Sequence, residues 1–195
     1  MRPYVSIDIE TTGIDDKSHV LQISAVFDDL KSPISELKRI DLPIMWNEIT
    51  YSEPYALGMN AELFKNMMNK SFKTYSPNEA RNQLVRFLNG VRDDIGIDEK
   101  GNFTKLILAG KNVASFDIPK ITKFMGRESS AFTETINYKT LDVGSLFYDT
   151  FGDNVSLSKI NALTNRPTVS HNALEDALDV VYAVRYKLGV PYEQV

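Results

Sequence analysis

Cysteine is absent from the 195 residues. That absence excludes a disulfide framework, a thiol nucleophile and any thiolate-bound metal. No stretch comes near the ~20 consecutive apolar residues of a membrane-spanning helix. The N-terminus, Met1-Arg2-Pro3-Tyr4 running straight into alternating residues, lacks the pattern of a signal peptide. These absences predict a soluble, intracellular, cytoplasmic protein with no membrane partner. A basic excess is missing as well: 22 Lys and Arg stand against 26 Asp and Glu, a net charge of −4. Taken alone, that balance counts mildly against a polyanionic partner. The chain has no internal repeat, low-complexity tract or linker, and with 43% hydrophobic and 25% charged residues it has ample material for a core. It reads as one domain spanning 1–195.

Periodicity predicts an α/β fold. Residues 3–9 alternate and are β-rich, Val20 to Phe27 forms a second strand, and a third runs from about Leu37 to Trp46. Short links between them suggest an antiparallel meander. The period then becomes helical over Glu53 to Met68 and Asn78 to Val91, with Ser76 as a candidate N-cap and Pro77 in the first turn. Asp93 to Thr104 is a polar loop. Leu106 to Gly110 is a continuous apolar run, as expected of a strand buried on both faces beside the first. A helix over Ser115 to Met125, a strand around Asn137 to Leu141, short helices at Leu146 to Asp149 and Ser156 to Leu163, and a long helix from Asn172 to Leu188 complete a mixed five-stranded sheet flanked by helices.

Three acidic segments carry the chemistry. In Asp8-Ile9-Glu10 both carboxylates project to one face of a strand, with backbones about 7 Å apart, and such a pair resists burial unless a cation sits between them. The alternation of Val5, Ile7 and Ile9 puts the opposite face in a core, which leaves the face of Tyr4, Ser6, Asp8 and Glu10 as the more polar one. Asn112-Val113-Ala114-Ser115-Phe116-Asp117 follows the buried strand at its carboxyl end, where open α/β sheets place their sites. Asp117 there begins a helix whose stripe includes Ile121 and Phe124. In His171-Asn172-Ala173-Leu174-Glu175-Asp176, Asn172 and Glu175 read as a capping box, which sets His171 just before the last helix and Asp176 near its first turn. Each segment alone also fits an exposed strand end, a dipole-stabilising acid or an incidental histidine. Together, four acids at element ends offer carboxylate oxygens only, which suit a hard divalent cation, Mg²⁺ or Mn²⁺, better than Zn²⁺. A neutral imidazole beside them can act as general base near pH 7.

The three segments, Asp8-Ile-Glu10-Thr-Thr-Gly13, Asn112-Val-Ala-Ser-Phe116-Asp117 and His171-Asn-Ala-Leu-Glu-Asp176-Ala177, resemble in order and spacing the exonuclease motifs of the DEDDh 3′–5′ exonucleases, the group of proofreading exonucleases, ribonuclease T and oligoribonuclease. The resemblance runs from residue 8 to residue 177 and implies a ribonuclease H-like fold. It also implies two Mg²⁺ or Mn²⁺ ions and release of nucleoside 5′-monophosphates from single-stranded 3′ ends. On these positions Asp8, Glu10 and Asp176 would bind the ion that activates water, Asp8 and Asp117 the second ion, and His171 would accept the proton. Thr11, Thr12, Met59, Asn112 and Phe116 would contact substrate. Lys111 stands where many relatives carry His, a departure that bears on substrate contact. The wording Glu-Thr-Thr-Gly leans toward DNA over RNA. An RNA-trimming or oligoribonucleotide-degrading enzyme and a non-hydrolysing nucleic-acid-binding module are the alternatives. A homodimer and a polymerase partner both stay open. Between Lys105 and Arg127, the bases Lys105, Lys111, Lys120, Lys123 and Arg127 accompany the single acid Asp117. That run suits phosphate contact, and it equally fits a solvated helix face.

Overall fold

A computed structural model describes residues 2–99, 101–169 and 171–193. Five strands, β1 (Tyr4–Thr11), β2 (Val20–Asp28), β3 (Arg39–Pro43), β4 (Leu106–Gly110) and β5 (Ile136–Asp142), form one mixed sheet in the order β3-β2-β1-β4-β5. The first three are an antiparallel meander, and β4 and β5 join in parallel through helical crossovers. The helices are α1 (Pro54–Met59), α2 (Ala61–Met68), α3 (Pro77–Ile95), α4 (Asp117–Met125), α5 (Ser129–Thr133), α6 (Val143–Leu146), α7 (Tyr148–Phe151), α8 (Leu157–Leu163) and α9 (Ala173–Leu188).

Helices cover both faces of the sheet. On one, Val5, Ile7, Ile9, Ile23 and Ala25 pack with Ala80, Leu84, Leu88 and Val91 of α3 and Ile121, Phe124 and Met125 of α4. On the other, Tyr4, Val26 and Ala109 pack with Ala177, Val180, Val181 and Val184 of α9, and with Phe147 and Ile160. The expectation that the Tyr4 and Ser6 face would be the polar one is corrected here, because both residues are buried. Their polar atoms are satisfied under α9: the Ser6 hydroxyl donates to Ala177 O at 2.8 Å and the Tyr4 hydroxyl to Asp28 at 2.8 Å.

Boundaries move for local reasons. The single helix expected over Glu53 to Met68 breaks at Asn60, whose side-chain amide bonds back to Ala56 O at 3.0 Å and whose backbone leaves helical geometry. The expected loop after Asp93 starts later, since α3 runs on to Ile95, and an antiparallel bridge joins Ile97 to Phe103 beyond it. The third strand ends early, at Pro43. Ser76 caps the start of α3, as expected, and with Glu79 it completes a reciprocal capping box. No helix among the described residues is long and apolar enough to cross a membrane.

Candidate active site

The site begins where β1 outlasts its neighbour. β4 pairs with β1 at Val5 and Ser6 and leaves the sheet after Gly110, while β1 runs on to Thr11. At that exit a Cβ on Gly110 would stand 3.1 Å from Ile7 O and 3.0 Å from the Val113 side chain, so a larger residue would crowd the chain where it passes β1. The next residues fold back to start α4, and Asp117 takes the place that β4 vacated: its carboxylate accepts from the Ile9 N–H as well as from its own. An acid in a first helical turn thus becomes a buried group bonded to the strand that carries Asp8 and Glu10. On the other edge of β1 the register slips between Glu10 and Thr11, whose partners are Gln22 and Val20. Such an irregularity re-aims the side chain beside it.

The third segment arrives from above the same face. α9 lies across β1 and β2, capped by the Asn172 side chain, which accepts from Leu174 N and Glu175 N. Glu175 does not complete the expected box and instead pairs with Arg166 at 3.0 Å. Gln22, next to Glu10 in the sheet, ties the helix start to the strands: its Oε1 accepts from Ala173 N at 3.3 Å and its Nε2 donates to Asp41 at 2.7 Å. The result brings Glu10, His171 and Asp176 together, with one ligand atom from each lying within 4.8 Å of the others. His171 is exposed and has a left-handed backbone, φ 52°. Asp176 is 7% exposed, and Asp117 4%.

Crowding of acids shows in their protonation. Burial first, and then the charges of Asp117, Asp176, Glu10 and Asp179, push Asp8 well above the usual carboxylate range. Burial raises Glu10 to about 7 against the opposing pull of the Asn60 amide. It also raises Asp117 to about 7 against its two backbone hydrogen bonds, with the Glu10 charge adding to the rise. Asn60 itself is buried, donates to Thr11 O at 3.2 Å, and has an Oδ1 with no hydrogen-bond partner among the described residues. A cluster of this kind gains from a divalent cation that replaces the protons, and its carboxylate oxygens suit a hard ion such as Mg²⁺ or Mn²⁺, with the imidazole beside them rather than among the ligands such ions favour.

The expected substrate residues divide. Thr11 and Thr12 are buried and spend their hydroxyls on the turn: Thr11 donates to Gly13 O, and Thr12 donates to Tyr51 O while accepting from His19 N. Their hydroxyls therefore build the turn that follows Glu10. Met59, half-buried, immediately precedes Asn60. Asn112 is exposed with φ 60°, its N–H bonded to Asp142 at 2.6 Å, and Phe116 is half-buried one residue before Asp117. Beside Asn112 opens a cleft of 370 Å³, lined also by Lys111, Ser145 and Tyr148. A roomier cavity of 720 Å³ lies at the far end of β1, against Arg2, Ile97 and Phe103, and none of the site acids lines it.

The run of bases from Lys105 to Arg127 does not form one surface. Lys105 lines that remote cavity, while Lys120 is buried on Gly13 O and Asp15 O and Lys123 reaches Asp16 O. These two lysines pin the loop between β1 and β2. Three site-proximal residues escaped sequence reasoning, namely Gln22, Asn60 and Asp179. Asp179 offered the one readable signal, since it follows Asp176 by three positions on a helix. No protein-family model matches the chain, and no curated protein matches it.

Proposed function

We propose that this chain is a metal-dependent 3′–5′ exonuclease of ribonuclease H-like fold, acting on single-stranded nucleic acid with a lean toward DNA. The observation that carries the reading is the meeting of three sequence-distant segments at one end of the sheet, with Glu10, His171 and Asp176 in mutual reach. The charges of Asp117, Asp176 and Glu10 bear together on Asp8. Asp8, Glu10, Asp117 and Asp176 are the residues that would hold Mg²⁺ or Mn²⁺. Two such ions supply charge stabilisation to the attacking and leaving oxygens of phosphodiester hydrolysis. His171, beside Glu10 and Asp176, accepts the proton of the attacking water. The cleft beside Asn112, lined by Lys111 and the exposed Tyr148, gives a polynucleotide a cation and a ring to lie against.

The test is a 3′-labelled oligonucleotide incubated with Mg²⁺ and analysed for mononucleotides, run in parallel on matched DNA, RNA and dinucleotides. Release of 5′-monophosphates is expected from the wild type and is abolished in Asp8→Ala and in Asp176→Ala. Full activity in either variant, or binding without shortening by the wild type across metals and pH, would refute the reading.

A further inference from the structure

Asp179 is an acid that the proposed chemistry does not use. It is 3% exposed, lies on α9 one turn beyond Asp176, and bears electrostatically on Asp8. Both its oxygens are occupied: Oδ1 accepts from Arg166 Nε at 2.8 Å, and Oδ2 accepts from the Asn161 side-chain amide. A carboxylate committed in this way has little to offer a metal ion. Its partners are themselves tied to the segment that leads toward His171. The Asn161 amide also donates to Pro167 O at 3.0 Å, Arg166 N donates to Asn161 O at 2.9 Å, and the Arg166 guanidinium reaches Glu175 at 3.0 Å while lying over the Tyr182 ring. The chain between α8 and α9 is thus wound onto one buried carboxylate.

His171 needs such an anchor. Its left-handed backbone, φ 52°, is one that residues other than glycine adopt rarely and hold where the surroundings support it. On its C-terminal side the Asn172 cap fixes the start of α9. On its N-terminal side, among the described residues, the knot of Asn161, Arg166 and Asp179 holds the chain at Arg166 and Pro167.

We infer that Asp179 is a positioning residue which, through Arg166 and Asn161, sets where His171 stands over Glu10 and Asp176. The kinetic part of the test rests on the exonuclease reading, and the spectroscopic part does not. The chain has two histidines, His19 and His171, so their imidazole proton resonances are assigned by comparison with His19→Gln. In Asp179→Asn and in Arg166→Gln the His171 resonance shifts and its broadening by Mn²⁺ weakens, while the His19 resonance stays in place. The rate constant kcat falls about 10–100-fold with KM nearly unchanged, the range typical of groups that orient a ligand from behind. Arg166→Lys, which keeps the charge and loses the fork, falls between these variants and the wild type. If Asp179→Asn does not fold, the two Arg166 variants decide, since that side chain is 19% exposed and its replacement leaves a smaller defect.

A lowered melting temperature with the His171 resonance, its Mn²⁺ broadening and kcat all at wild-type values would overturn the inference, because the knot would then be structural only. A wild type that digests nothing defeats the exonuclease reading, and the resonances still decide the role of Asp179.

Discussion

Glu10 stands close to half-protonated at neutral pH, raised by burial to about 7 while the Asn60 amide favours its ionised form. Removing that amide moves Glu10 further toward the acid. A divalent cation must displace the proton to bind, so the loss is felt most where the proton is held most. In Asn60→Ala, Mn²⁺ binding followed by electron paramagnetic resonance should weaken about tenfold at pH 6.5, with the gap narrowing by pH 8.5, where Glu10 is ionised in both proteins. An equal loss at both pH values would mean that Asn60 acts only by shaping the break between α1 and α2. The residues that carry chemistry were legible because each sits in a short local pattern: Asp8 with Glu10, Asn112 to Asp117, His171 to Asp176. Asn60, Gln22 and Asp179 were not, because what matters about each is a partner 13 to 151 positions away. No local spacing encodes such pairs.

Among the elements, one contact that sets the start of α9 against the sheet at the site is made by a strand glutamine. Gln22 is 1% exposed, and it serves both the first N–H of α9 and Asp41 of β3. Gln22→Leu preserves bulk but leaves a helix N-terminal N–H buried without its acceptor. Asp41 keeps the Ser24 hydroxyl at 2.7 Å. The expected cost is about 1–3 kcal/mol in urea unfolding. Faster amide exchange should be confined to the first turn of α9, and activity should fall as Asp176 loses its seat. Exchange that is unchanged at Ala173 would show that the Asn172 cap alone holds the helix start. The five strands, the meander and the place of β4 beside β1 were readable from apolar period, because burial imposes that period directly. What failed was the reading of one sheet face as polar. Tyr4 and Ser6 look solvent-facing by type, yet α9 covers them and supplies or shares their hydrogen-bond partners, a fact of tertiary packing.

For the whole molecule, the net charge of −4 is a sum over two unlike regions. With Asp8, Glu10, Asp117 and Asp176 set aside, acidic and basic residues are equal in number, 22 each. The formal excess therefore equals the number of carboxyls in the candidate metal site, and their effect on stability depends on pH. Unfolded, these carboxyls ionise near pH 4. Folded, Glu10 and Asp117 ionise at about 7, and Asp8 is raised as well. Between those limits the folded chain binds more protons than the unfolded one, so the stability that these groups contribute is present in full below about pH 4 and is lost as pH climbs through 7. A divalent cation binds the ionised form, releases the remaining protons and stabilises only the folded chain, so its benefit grows over the same window. In EDTA the melting temperature should therefore be higher at pH 5.5 than at pH 8, and Mg²⁺ or Mn²⁺ should raise it more at pH 8 than at pH 5.5. Asp8→Asn removes one member of the cluster without changing its size, so the variant should show a shallower pH dependence in EDTA and a smaller gain from metal. A metal-free melting temperature that rises toward pH 8, or a metal gain equal at both pH values and untouched by Asp8→Asn, would mean that the acids are not a cation site and that their crowding serves the fold alone.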